Sequence, residues 1–189
     1  MLNVPNFLTL LRIVGIPIFL IFLVDGRYPE ALGVFVAAGV TDALDGAIAR
    51  LTHTKTTLGA YLDPAADKLL LLSAFITLGF MNEVPRWLTV VVISRDVVVV
   101  LGYFLLFTMT QQTMEIRPSI SGKLSTFFQL ASVALVLVGL VRPDLVAPLL
   151  EQTCFYAAAA LTTAAGAQYV YRGLVWVQSR GQNNLGTPA

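Results

Sequence analysis

The chain has 189 residues, 57% of them hydrophobic and 12% charged, with a net charge of +1 and a mean hydropathy of +0.78. Soluble domains run about 45–50% apolar and about 25% charged, so the charge deficit points to a chain that lives in lipid. The near-neutral balance excludes a nucleic-acid binder with a basic stripe, and the single cysteine, Cys154, excludes an internal disulfide or a cysteine-based metal cluster.

A membrane helix needs roughly 20 mostly apolar residues, and six such segments are predicted in chain order. The first covers residues 5–24, with Asn3 as a candidate cap, Pro5 in the first turn and Pro17 as a candidate kink. It has no basic n-region and no small-residue cleavage site, so it reads as a retained helix and not a cleavable signal. The turn Asp25-Gly26-Arg27 ends it. The second helix covers 29–50 and the polar loop 51–57 follows. The third covers 58–80, with Asn82-Glu83 at its exit. The fourth covers 85–108, the fifth 120–141 and the sixth 149–177, and the tail from Gln178 to Ala189 is polar and expected to fray. The expected class is therefore an all-α membrane protein of six transmembrane helices, one domain over residues 1–189.

Loop charges suggest an orientation. Arg50, Lys55, Arg117, Arg172 and Arg180 fall in the loops after helices 2 and 4 or near the C-terminus, while the opposite loops mix Arg27, Arg86 and Arg142 with acidic residues. The positive-inside rule then puts both termini and the 2–3 loop in the cytoplasm. The absence of an Arg/Ser-rich transit pattern favours a bacterial cytoplasmic membrane.

Ionisable residues inside a span cost about 2.5–3.5 kcal/mol each, which makes them functional candidates by default. Helix 2 carries Asp42 and Asp45; helix 3 carries Asp63 and Asp67. Positions 42, 45, 46 and 49 share one helix face, as do 59, 63 and 67. A short connection makes the two helices antiparallel neighbours, so the carboxylate pairs can face each other. Four carboxylates that close need cations or protons to coexist. Hard divalent ions take oxygen ligands, and paired ions clamp phosphoryl displacements. Gly46, Ala49, Gly59 and Ala60 leave room for a ligand to approach. The alternatives for the acidic set are polar glue between helices or a proton or sodium relay.

The stretch Asp42-x-x-Asp45-Gly46-x-x-Ala49-Arg50-x8-Gly59-x-x-x-Asp63-x-x-x-Asp67 resembles the signature of the CDP-alcohol phosphatidyltransferases, with every position present at the expected spacing. The resemblance implies that family's six-helix fold and two divalent cations, Mg²⁺ or Mn²⁺, on Asp42, Asp45, Asp63 and Asp67. It further implies a CDP site made by Asp42, Gly46, Ala49, Arg50 and Gly59, with Asp67 as the base that takes the proton of the attacking alcohol. Homodimers are usual in such proteins; nothing in this chain's sequence shows one. The only histidine, His53, lies in the 2–3 loop and reads as solvated, so no Ser–His or Cys–His pair offers a covalent route.

Other segments bear on the acceptor. Pro5-Asn6-x-x-Thr9-x-x-Arg12 and Leu62-Asp63-Pro64-x-Ala66-Asp67-Lys68 resemble both phosphatidylglycerophosphate synthases and CMP-forming cardiolipin synthases, which use glycerol-type acceptors. Synthases acting on glycerol-3-phosphate carry two more cations on helices 4 and 5, where this chain has Tyr103 and Ser125. A phosphate monoester wants several basic donors, so the loss favours phosphatidylglycerol as acceptor and cardiolipin as product. Glycerol-3-phosphate is the alternative. Arg95 and Lys123 are the expected acceptor-binding residues; Arg95 could instead pair with Asp96 or a cluster carboxylate, and Lys123 could sit at the membrane interface. Ser121, Thr126 and Gln129, with Thr162, Thr163, Tyr169 and Tyr171, complete the likeness to cardiolipin synthases. Trp87 and Trp176 read as interface anchors. Rivals from other classes are an ion-coupled transporter, which should show broken helices in repeated halves, and a structural membrane subunit.

Overall fold

A computed structural model describes residues 4–51, 57–110 and 120–185, with side chains at 8–42, 44, 65–106, 108 and 120–178. Six helices occupy these segments: α1 (Val4–Val24), α2 (Tyr28–Leu51), α3 (Thr57–Phe80), α4 (Arg86–Thr110), α5 (Ile120–Val141) and α6 (Pro148–Leu185). A single 3-10 turn, Pro143–Leu145, sits between α5 and α6, and no strand occurs among the described residues. Asn3 and the loop with His53 lie outside them.

Helix ends are written in local chemistry. At the end of α1, Gly26 adopts φ 73°, Arg27 N–H donates to the Phe22 carbonyl at 2.8 Å and Gly26 N–H to the Leu23 carbonyl at 3.3 Å. This is the paired bonding of a Schellman cap, which needs a left-handed residue after the last turn. The end of α3 repeats it with Asn82 at φ 63°: Glu83 N–H reaches the Leu78 carbonyl at 3.0 Å and Asn82 N–H the Gly79 carbonyl at 3.3 Å. The Asn82 side chain also accepts from Arg86 Nε at 3.1 Å, tying the cap to the start of α4. Pro17 sits inside α1 without ending it.

The tail departs from the sequence expectation. α6 continues through Leu185 and does not stop near residue 177. Once a helix exists, each further residue adds a hydrogen bond without a new nucleation cost. Gln178, Arg180 and Gln182 are also good helix formers, so polarity removed the apolar signal without removing the helix.

Two compact units make up the chain. One comprises Met1–Arg86 and Leu130–Gln152. In it α1 packs against both α2 and α3. Thr9, Arg12, Ile16, Phe19 and Leu23 form one buried stripe of α1 at alternating three- and four-residue spacing. Phe19 meets Phe35 of α2 with ring centroids 5.9 Å apart, and Ala66, Leu70, Ala74, Phe75 and Leu78 bury one face of α3. The second unit comprises Trp87–Gln129 and Thr153–Ala189. There Gln129 of α5 donates to Thr162 of α6 at 2.8 Å in a buried contact, and Ser121 donates to Gln168 at 2.8 Å. α6 closes on α4 where the Tyr169 ring covers Gly102; a Cβ on that glycine would stand 3.2 Å from the ring. Trp87 stacks on Tyr156 at 5.5 Å while remaining 43% exposed.

Among the described residues, two helices, over Arg86–Leu106 and Ile120–Val141, are long and apolar enough to cross a membrane, and Leu8–Val24 is a shorter apolar stretch.

Candidate active site

The described part of the acidic set is organised by a cation that the sequence pattern left in the background. Arg12 lies on the buried stripe of α1, and its side chain is wholly enclosed. A charge so placed must be paired, because an uncompensated buried ion costs several kcal/mol. Among its partners are the two candidate metal ligands whose side chains are described. Arg12 Nη1 donates to Asp67 Oδ1 at 2.8 Å and stands 3.2 Å from Asp42 Oδ1. Asp42 belongs to α2 and Asp67 to α3. Both contacts share one nitrogen, so the two carboxylate oxygens can be no farther apart than those contacts laid end to end.

Exposure divides the cluster. The guanidinium is shut away, whereas the side chains of Asp42 and Asp67 are 45% and 44% exposed. The cation forms the floor and the carboxylates form an open rim. Two anionic oxygen groups from different helices, held close and open on one side, suit a hard divalent ion. Next to Asp42, the Thr41 hydroxyl bonds back to the carbonyls of Ala37 and Ala38 at 2.9 and 2.8 Å, so it is satisfied within its own helix.

Asp45, Gly46, Ala49 and Arg50 lie on the last turns of α2, and Gly59 and Asp63 on the first turns of α3. Their side chains are outside the described set. Among the described residues no three His, Cys, Asp or Glu side chains converge.

Arg95 and Lys123 belong to the second unit. Arg95 Nη1 pairs with Asp96 Oδ1 at 3.0 Å, and both side chains are largely buried, at 18% and 13% exposure. Gly166 of α6 leaves room for the Arg95 stem, since a Cβ there would come within 3.3 Å of Arg95 Cγ. Arg95 thus takes the Asp96 pairing weighed from the sequence. Lys123 is exposed on α5. The Gln129–Thr162 bond joins two of the segments that resemble cardiolipin synthases and ties α5 to α6.

In the sequence, Arg12 belongs to the opening motif Pro5-Asn6-x-x-Thr9-x-x-Arg12. The signal that could have singled it out was available: an arginine one helical turn beyond Thr9 inside an apolar stripe demands an acidic partner from another helix.

The family model described as CDP-alcohol phosphatidyltransferase matches residues 2–164. A Mycobacterium tuberculosis protein named "Probable phosphatidylglycerophosphate synthase" is 36% identical over 178 residues, covering 91% of this chain and 82% of that protein. The "CDP-diacylglycerol--glycerol-3-phosphate 3-phosphatidyltransferase" of Bacillus subtilis is 32% identical over 184 residues, covering 89% and 94%. The "Cardiolipin synthase (CMP-forming)" of Rattus norvegicus is 35% identical over 147 residues, covering 70% of this chain and 49% of that protein. A family match that runs from before Arg12 to just beyond Thr162 reaches into both compact units and takes in the whole acidic stretch: the chain belongs to the CDP-alcohol phosphatidyltransferase family.

Proposed function

We propose that this chain is a membrane enzyme that transfers the phosphatidyl group of CDP-diacylglycerol to a glycerol-type alcohol and releases CMP. The family match supports the enzyme class and gives no support to the ion-coupled transporter. The observation that carries the proposal is the meeting of Asp42 and Asp67 at one guanidinium, inside the stretch that bears the family's signature.

Asp42, Asp45, Asp63 and Asp67 would hold two divalent cations, Mg²⁺ or Mn²⁺. When bound, these ions would neutralise the pyrophosphate and the departing CMP. Asp42, Gly46, Ala49, Arg50 and Gly59 would seat the cytidine diphosphate part. Asp67 would take the proton of the acceptor hydroxyl as its oxygen attacks the phosphatidyl phosphorus and the bond to CMP breaks. No covalent enzyme intermediate is needed.

All six helices would span the bilayer as one domain over residues 1–189. Support comes from the two strongly apolar helices and from large apolar side chains exposed on others, among them Leu11, Val14 and Ile21 of α1 and Leu174 of α6. Exposed apolar surface on that scale suits lipid better than water. The membrane would be a bacterial cytoplasmic one, and the loop charges favour an acidic site that faces the cytoplasm.

For the acceptor we favour phosphatidylglycerol, with cardiolipin as product. Tyr103 and Ser125 stand where glycerol-3-phosphate enzymes carry cations, and Asp96, paired with Arg95 Nη1, offsets part of the Arg95 charge. Arg95 and Lys123 would contact the acceptor. The relatives of Mycobacterium tuberculosis and Bacillus subtilis, matched over most of their length, favour glycerol-3-phosphate as the second reading. Purified protein given CDP-diacylglycerol, Mn²⁺ and each acceptor separately decides between them. Faster CMP release with phosphatidylglycerol supports cardiolipin synthesis; a strong preference for glycerol-3-phosphate reverses the assignment.

A further inference from the structure

We propose that Arg12 is a positioning residue for the phosphatidyl-transfer centre, clamping Asp42 of α2 to Asp67 of α3 so that divalent ions meet a pre-set pair of ligands. This rests on the phosphatidyltransferase function proposed above and adds a residue that lies outside the acidic signature stretch.

The geometry points to a support and not to a ligand. Arg12 carries five donors and a permanent positive charge, so it cannot itself bind a metal ion. It reaches Oδ1 of both carboxylates through a single Nη1, at 2.8 and 3.2 Å. Without it, two carboxylates from separate helices would repel across the gap and swing apart whenever no ion is bound. With it, one positive charge offsets part of that repulsion and fixes their separation in advance. The stripe Thr9, Ile16, Phe19 and Leu23 buries α1 on the same face as Arg12, so the guanidinium is anchored by packing over several turns. Groups that hold metal ligands in place from behind usually matter 10–100-fold for metal affinity, by order of magnitude.

Lysine keeps the charge but not the planar fork, and glutamine keeps length and polarity without charge. The experiment is a Mn²⁺ titration of detergent-purified wild type, Arg12→Lys and Arg12→Gln. It follows the Mn²⁺-dependent rise in melting temperature and, separately, the KM for Mn²⁺ and for CDP-diacylglycerol. We expect the midpoint for Mn²⁺ to move up by about 10–100-fold in Arg12→Gln and by less in Arg12→Lys. We also expect the KM for Mn²⁺ to rise more than the KM for CDP-diacylglycerol. A purely structural arginine would lower the melting temperature at every Mn²⁺ concentration and leave the midpoint in place, which overturns the proposal. If Arg12→Gln does not fold, the midpoint of Arg12→Lys decides alone, an unchanged value overturning the clamp. A wild type that responds to no Mn²⁺ concentration would overturn the metal centre itself and the clamp with it. A wild-type response with unshifted variants would overturn only the clamp.

Discussion

Arg12 and Asp67, fifty-five positions apart in the chain, meet at 2.8 Å, and the arginine of that pair is completely buried while the aspartate stays nearly half open. The asymmetry separates two jobs: a buried cation that fixes position, and an accessible carboxylate that can meet an ion or a substrate hydroxyl.

Asp67→Asn should therefore cost activity far more than it costs folding. Asparagine keeps the shape and can still accept a hydrogen bond from Arg12, but it neither takes a proton nor contributes charge to a cation. A positioned general base is worth about 10²–10⁴-fold. We expect CMP release to fall at least about 100-fold, with the variant still purifying as a folded protein. Activity within a few-fold of wild type would remove Asp67 from the chemistry.

Arg95→Met tests the acceptor site. It removes the charge from a largely enclosed pair and leaves Asp96 facing an apolar side chain. The expected result is a KM for the acceptor raised about tenfold, the order of one charge-assisted hydrogen bond, with the KM for CDP-diacylglycerol nearly unchanged. Equal rises in both would make Arg95 a general structural element.

The Gln129–Thr162 bond should behave as helix glue. Hydrogen bonds between membrane helices average about 0.6 kcal/mol and reach about 1.7 kcal/mol. Thr162→Val, which leaves Gln129 without that partner, should destabilise by roughly 1 kcal/mol. Gln129→Leu with Thr162→Val should cost less than the two single changes added, measured by thermal or denaturant unfolding in detergent. Strict additivity would mean that the bond contributes nothing.

Asn82 stands at φ 63°, where a Cβ costs roughly 1–2 kcal/mol in any residue lacking asparagine's local hydrogen bonding. Asn82→Gly should preserve stability to within about 0.5 kcal/mol, and Asn82→Ala should lower it by about 1 kcal/mol. The contact from Arg86 is lost in both, so comparing the two variants isolates the backbone. Equal stability in the two would refute the capping role.

How far sequence alone reached is clearest at these same residues. Gly26 and Asn82 punctuate apolar runs, and the helices stop where they stand, because a left-handed cap is a local event legible in local sequence. The helices that carry the acidic residues, α2 and α3, were legible for a similar reason, and on any helix residues three and four apart share a face. For Arg12 only half was legible: its place in the periodic stripe of α1 can be read from the sequence, whereas the acidic residues it meets depend on where α1 packs. The described link between the α2 and α3 carboxylates passes through α1, which packs on both helices. Arg95 illustrates the limit differently, since its neighbour Asp96 was an available partner in the sequence and only geometry decides whether two adjacent side chains turn toward each other.

The most direct measurement is CMP release by purified protein from CDP-diacylglycerol, with phosphatidylglycerol or glycerol-3-phosphate supplied, as Mn²⁺ is titrated in and then removed with a chelator. Carboxylates gathered around an ionic pair predict release that requires both an acceptor and the divalent ion, and that stops on chelation. Undiminished release after complete chelation, or none with either acceptor at any Mn²⁺ concentration, would contradict the account.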